Sequence, residues 1–275
     1  MKKIFIAILI FVSFLNYAQS KILDFKPGYS PETIYNQTTT NSSDYEITYS
    51  GSEKVMEVLK NNGTENPTNT KNSFNVETVS VTGKIDKEKN FPIRIEYLKA
   101  TNEKGKVLIP SGTLLYGNAT LSSMPKLDSI VSKDMEDSLK KSTFETVQSA
   151  FDQLALPAKK LKINESFSQE SPLIIPMAGI NIEMAITTTY TLKSMTAKKA
   201  FFDIVQVYAI KILDTKFDVK GSGSGVGSLN YDILNHFIDE NILNMKIDLQ
   251  FKYTDLTLNL KSQSSFNQST RISKK

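Results

Sequence analysis

The residue best suited to proton transfer is His236, the only histidine of the chain, which lies near Asp239 and Glu240 in sequence. A carboxylate that orients an imidazole can make it a general base. No Gly-x-Ser-x-Gly elbow accompanies it, and the segment 231–240 is typical of a connection between two strands. The sequence therefore favours a structural or solvent-exposed histidine, and it predicts no catalytic residue and no enzymatic activity.

The sequence has few histidine and cysteine residues that could bind a metal ion. A zinc site needs several histidine or thiolate ligands at close spacing, and the chain has one histidine and no cysteine. Asp232, Asp239 and Glu240 form a local acidic group that could meet calcium, but their spacing does not match an EF-hand loop. A carboxylate pair for glycoside hydrolysis is defined by a distance in space that sequence does not give. We expect no metal and no cofactor.

Glycines occupy every second position of the segment 220–228, at Gly221, Gly223, Gly225 and Gly227. In an extended chain they would leave one face of the strand without side chains. Each glycine costs roughly 0.5 to 1 kcal/mol relative to alanine, so close approach of another group is the expected compensation. That group is either an internal partner (an amphipathic helix or a large aromatic side chain) or an elongated external ligand. The segment lacks the Gly-Lys-Ser/Thr ending that a phosphate-binding loop requires. A flexible loop is the plainest alternative.

Alternating apolar and polar residues predict antiparallel strands with one solvated face. The pattern is strongest in 180–192 and 245–253. It is weaker in 202–210, where both faces are expected to be partly covered, and in shorter runs of the first half: 45–49, 74–76, 79–81 and 91–97. At Thr254-Asp255 the parity changes, which predicts a bulge or a corner before 256–260.

Two segments have helical periodicity. Ser52 can cap a short helix that ends near Gly63, and a longer helix is predicted from about Asp134 to Leu154, closed by Pro157. The apolar stripe of the longer helix contains Met135, Leu139, Phe144, Val147, Ala150, Phe151 and Leu154. Its mixed-charge polar side argues against the alternative of a membrane-surface helix. Together these elements predict an α+β, mainly β fold, in which a curved antiparallel half-barrel wraps the long helix.

The first residues are typical of a secretory signal. Met1-Lys2-Lys3 precedes the apolar run 4–15, which is too short to span a bilayer, and small residues at Ala18 and Ser20 predict cleavage after Ser20. No cysteine is available for a lipid anchor or a disulfide. Residues 21–275 are predicted as a single β-rich domain, in which 271–275 is expected to be a polar tail. No later stretch is long and apolar enough for a membrane helix, so an integral membrane protein is not expected. The formal net charge is only +4 with interspersed signs, which argues against nucleic acid.

Several short segments resemble a family of exported Bacteroidota proteins that carry a domain of unknown function. They are 59–63 with Asn66-Pro67, 162–167, 172–177, 200–204 and the glycine segment. The expected shape is also similar to the half-barrel of periplasmic lipoprotein carriers, which implies lipid or apolar-ligand binding by analogy of fold. The predicted cleaved signal implies a periplasmic or secreted protein.

The sequence thus predicts a non-catalytic envelope protein that binds an apolar or amphiphilic, lipid-like ligand between sheet and helix. The candidate binding residues are Gly221, Gly223, Gly225, Gly227, Phe144, Val147 and Phe151. The alternative is a structural or protein-interaction module with a filled core and no ligand, whose partner is another envelope protein.

Overall fold

Long antiparallel strands make up most of the chain. The computed structural model describes residues 22–153, 155–177, 180–211 and 218–275. The strands are β1 (Leu23–Phe25), β2 (Thr33–Gly51), β3 (Thr68–Thr82), β4 (Asn90–Asn102), β5 (Leu114–Thr120), β6 (Ser123–Val131), β7 (Lys159–Leu161), β8 (Ser166–Met177), β9 (Ile180–Met195), β10 (Lys199–Lys211), β11 (Asp218–Asp232), β12 (Phe237–Tyr253) and β13 (Leu256–Lys274). The helices are α1 (Glu53–Asn61) and α2 (Asp137–Gln153). The predicted signal segment 1–20 lies outside the described residues.

One 11-stranded antiparallel sheet has the order β6-β5-β4-β3-β2-β13-β12-β11-β10-β9-β8. It consists of two meanders, β2 to β6 and β8 to β13, in which each strand pairs with its neighbour in sequence. The two meanders meet where β2 pairs with β13, from Thr33 opposite Lys274 to Gly51 opposite Leu256. This pairing, the β2–β13 seam, places the two longest strands at the centre of the sheet.

A second layer covers part of one face of the sheet, here called the covered face. Phe144, Val147 and Phe151 of α2 pack into one apolar cluster with residues of β2, β4, β5 and β6. A small sheet of β1 and β7 packs into a second cluster against β8 to β11. Side chains alternate along each strand, so the opposite set of residues forms the outer face.

The predicted α+β half-barrel wrapped on one long amphipathic helix is wrong. Helix α2 extends only from Asp137 to Gln153 and packs on β6 at one side of a mostly β fold. Met135 is buried but precedes the helix, while Leu139 lies 44% exposed, so the apolar side of α2 is narrower than the predicted stripe. The small β1–β7 sheet therefore covers sheet surface that the helix was expected to cover. Leu154 lies outside the described residues.

The predicted polar tail is also wrong, because residues 271–274 belong to β13. Ile272 packs against the cluster beneath α2, and Lys274 donates a 3.0 Å hydrogen bond to Thr33 Oγ1. The parity change at Thr254-Asp255 is a hairpin turn between β12 and β13, not a bulge: Tyr253 pairs with Leu256, and Thr254 has a φ of 48°.

The short helix was predicted correctly. Helix α1 begins after Ser52, whose side chain makes no capping hydrogen bond, and its last turn leads to Gly63 with a φ of 74°. Neither α1 nor α2 has the length and apolar composition of a membrane-crossing helix, and the described part of the chain contains no such helix.

Candidate functional site

His236 lies in the connection between β11 and β12 with a φ of 53°, and its side chain is exposed. Its Nδ1 is 3.0 Å from the hydroxyl of Tyr231, and its carbonyl accepts a 2.8 Å hydrogen bond from the amide of Gly28. The hydrogen-bond partner of the imidazole is thus a phenol on the preceding strand. These contacts give His236 a structural role in joining the connection to the segment after β1.

The neighbouring carboxylates are engaged separately. Asp232 accepts hydrogen bonds of 2.9 Å from the amides of Leu234 and Asn235, which fixes the turn. Asp239 lies 2.7 Å from Lys199, and this hydrogen bond raises the pKa of the Lys199 ammonium. Among the residues that the structure describes, no three His, Cys, Asp or Glu side chains gather as metal ligands would.

The glycines are in β11, between β10 and β12, and their bare side is occupied by the protein itself. A Cβ on Gly223 would lie 2.9 Å from Cγ of Tyr208, and one on Gly225 would lie 2.8 Å from Oε1 of Gln206. A Cβ on Gly221 would overlap Leu249. At Gly221, Gly223 and Gly225 the close approach is made by side chains of the two flanking strands, including one aromatic ring, and by carbonyls of β12. At Gly227 it is made by the backbone of β12.

Beside the glycines lies a third apolar cluster, which we call the sheet-only cluster. Its buried members are Met184, Tyr208, Val219, Leu249, Phe251 and Leu258, and its partly buried members are Ile47, Tyr49, Ile186, Ile210, Met245, Ile247 and Leu260. All of them come from the large sheet. On each strand these residues are in the same alternating phase as the residues that pack against α2 and the small sheet. The strand register therefore places them on the covered face. Within the described ranges, neither helix α2 nor strands β1 and β7 contribute a member.

Helix α1 borders this cluster at the far end of the sheet. Tyr49 of the cluster lines an open concavity of about 580 Å³ together with Met56, Leu59 and Lys60 of the helix. Asn66 closes its other side and makes two hydrogen bonds to the backbone of Tyr49, at 3.0 and 2.8 Å. None of the helix residues is buried, so the apolar side of α1 remains accessible.

At its other end the sheet-only cluster meets a short chain of neutral polar groups. Tyr208 donates a 2.7 Å hydrogen bond to Oε1 of Gln206, whose Nε2 donates a 3.0 Å bond to Oγ1 of Thr188. Burial raises the pKa of the Tyr208 phenol to about 12, so it remains a neutral donor at physiological pH.

The seven residues predicted from sequence to bind a ligand fall into two groups. Gly221, Gly223 and Gly225 adjoin the sheet-only cluster, while Gly227 continues the strand toward the small sheet. Phe144, Val147 and Phe151 of α2 belong to a different cluster, so the structure does not bring them to the glycines.

Sequence reasoning missed Gln206. A usable signal existed, because Gln206 is the one polar residue in the apolar phase of β10, between Ile204 and Tyr208. A polar group in an otherwise apolar phase indicates a specific hydrogen-bond partner.

No protein-family model matches this chain, and no curated protein is significantly similar to it. The resemblance to exported Bacteroidota proteins therefore stays a prediction.

Proposed function

We propose that this chain is a non-catalytic envelope protein whose sheet-only cluster binds a long-chain apolar or amphiphilic ligand. One observation carries the proposal. Apolar clusters occupy both ends of the covered face, but α2 and the β1–β7 sheet cover only the two clusters at one end. An apolar sheet face needs a second layer, and a ligand chain would supply it at the other end.

The site differs from the predicted sheet–helix cleft. Phe151 is 9% exposed beneath α2 and contacts Tyr29 edge-to-face, so protein side chains fill that interface. In the sheet-only cluster the floor is buried, whereas Ile47, Ile247 and Met245 remain partly accessible. Burial of each methylene contributes about 0.8 kcal/mol, which favours a long chain over a short one because association has a fixed entropic cost.

Native mass spectrometry of protein purified from its own host without detergent tests the proposal. We expect a co-purifying mass of lipid size, and after its extraction we expect saturable binding of the apolar dye N-phenyl-naphthylamine. An apo mass combined with no dye binding would count decisively against the proposal.

A pair of substitutions locates the site. Ile247→Asn places an amide on the sheet-only cluster and should weaken dye binding about tenfold, equivalent to about 1.4 kcal/mol. Val207→Asn is the control, because Val207 lies on the outer face and is 58% exposed. If both variants lose the same dye affinity, or if neither loses any, the dye binds elsewhere.

Envelope localisation is part of the proposal and depends on the predicted signal at 1–20. In a Gram-negative host, the mature protein should begin at Lys21 and leave the cytoplasm. Intact-mass measurement on fractionated cells tests this, and an unprocessed cytoplasmic chain would contradict it.

The protein-interaction module remains the second candidate, because one observation favours it. Val205, Val207 and Val226 are 49%, 58% and 59% exposed on the outer face, and Val205 pairs directly with Val226 across β10 and β11. Exposed apolar groups in contact with one another are typical of protein contacts. The module predicts that Val226→Lys abolishes a partner contact or self-association, measured by sedimentation velocity, while dye binding is absent in both proteins.

A further inference from the structure

The strands around the sheet-only cluster present no charged side chain to it among their described residues; the nearby charges Glu53, Glu57 and Lys60 belong to α1, beside Tyr49 at the far end. The positions that face the cluster hold apolar, aromatic, hydroxyl, amide or glycine residues: Ser43, Tyr45, Ile47 and Tyr49 on β2; Met184, Ile186 and Thr188 on β9; Gln206, Tyr208 and Ile210 on β10; Val219, Gly221, Gly223 and Gly225 on β11; Met245, Ile247, Leu249 and Phe251 on β12; Leu258, Leu260, Ser262 and Ser264 on β13.

The charges of the same strands are on the outer face. The register places there Asp44, Glu46, Asp218, Lys220, Lys246, Asp248, Lys252 and Lys261. Lys220 lies 3.5 Å from Asp218, and Lys71 of the neighbouring strand lies 3.4 Å from Asp44. Around the cluster, the charges of these strands therefore lie on the face opposite to it.

The neutral chain Tyr208–Gln206–Thr188 marks the inner boundary of the uncharged surface. The glycine at position 225 leaves the space that the Gln206 amide occupies. A primary amide has two N–H groups, and the bond to Thr188 uses one of them. The second N–H and the Thr188 hydroxyl can pair with a neutral acceptor or donor, such as an ester or an alcohol.

We propose that the buried part of the ligand is uncharged, and that the site selects amphiphiles with an ester or hydroxyl head over long-chain anions. This inference rests on the proposed function. Burying an unpaired carboxylate or phosphate costs several kcal/mol. The described strands present no cationic side chain to the cluster, and Lys60 of α1 lies beside Tyr49, at the end away from Gln206, together with Glu53 and Glu57. A monoacylglycerol meets the chemistry of the site, with its chain along the sheet-only cluster and its head at Gln206 and Thr188.

Isothermal titration of the delipidated wild-type protein with monolaurin and with laurate tests the inference. Both are used at neutral pH below their micelle concentrations and carry the same acyl chain. Monolaurin should bind at least about tenfold more tightly, since a modest charge-burial penalty of about 1.4 kcal/mol already gives that factor. Equal affinities would overturn this inference and leave apolar-ligand binding intact. Binding of neither would overturn the proposed function as well.

A substitution pair places the selectivity on the covered face. Ser264 is half-buried and pairs with Met245, and the flexible stem of a lysine at this position can bring a cation to the cluster. Ser264→Lys should therefore raise laurate affinity about tenfold relative to monolaurin. Ser265→Lys is the matched control, because the exposed Ser265 is on the outer face beside Ser42. If both folded variants still prefer monolaurin over laurate as the wild type does, the head group does not lie near position 264 and the inference fails.

Discussion

At position 223 the absence of a side chain lets the ring of Tyr208 lie across β11. A Cβ there would lie 2.9 Å both from the ring carbon Cγ and from the carbonyl oxygen of Lys246. The ring can move, but the carbonyl belongs to the ladder between β11 and β12 and cannot move without disturbing it. The glycine is thus required by the packing of a neighbouring strand.

Gly223→Ala should therefore lower the free energy of unfolding by roughly 1–3 kcal/mol, the usual cost of overpacking a well-filled site. Ser224→Ala is the control, because the exposed Ser224 is on the outer face, and it should change stability by less than about 0.5 kcal/mol. Urea denaturation followed by circular dichroism measures both. Wild-type stability of Gly223→Ala would show that the ladder absorbs the methyl group.

Strand β13 joins the two meanders into one sheet, because it belongs to the second meander and pairs with β2 of the first. Its last residues continue the pairing with β2, from Arg271 opposite Asn36 to Lys274 opposite Thr33. Ile272 adds apolar contact with the cluster beneath α2. The end of this strand is therefore part of the folded core.

Deletion of residues 271–275 should destabilise the protein by about 2–4 kcal/mol, because several backbone hydrogen bonds worth about 1 kcal/mol each and the packing of Ile272 are lost together. The control is the double substitution Arg271→Ala and Ser273→Ala, which changes two exposed side chains and keeps the backbone. Thermal unfolding should separate the two proteins clearly. A deletion variant as stable as the control would indicate a dispensable tail.

Hydropathy alternation predicted the strands that carry apolar residues on one side, such as β9, β10 and β12. It failed for the seam, because residues 37–43 of β2 and, apart from Phe266, residues 262–270 of β13 are Ser, Thr, Asn and Gln on both faces. Backbone pairing defines such strands, and pairing over long sequence distances leaves no local pattern. The same limit applies to the site: the glycines were visible as a repeat, but their neighbours Tyr208 and Leu249 follow only from the register.

For the molecule as a whole, buried tyrosines determine the response to alkali. Burial raises the pKa of Tyr97, Tyr190, Tyr208 and Tyr231 from 10.0 to about 12. Above pH 10 the unfolded chain therefore loses phenolic protons that the folded chain retains. The buried tyrosines should therefore contribute their full stabilisation below about pH 10, and the free energy of unfolding should fall as the pH rises toward 12.

We expect cooperative unfolding in this alkaline interval, with phenolate absorbance of these tyrosines appearing together with the loss of the β-sheet circular dichroism signal. Between pH 9 and pH 7, the contribution of these tyrosines to the free energy of unfolding should stay unchanged. Full ionisation of the tyrosines near pH 10 in a still-folded protein would contradict their burial.

The length of the β2–β13 seam also has a consequence for the order of folding. Thr33 and Lys274 are hydrogen-bonded although they are 241 positions apart in sequence, whereas each meander pairs strands that are neighbours in sequence. Local hairpins form before distant contacts, so the two halves should assemble first and join slowly. Until they join, each half exposes an unpaired strand to other chains, and such strands promote aggregation when they are apolar. The serine, threonine and asparagine residues of β2 and β13 thus provide a water-compatible edge for the slowest step of assembly.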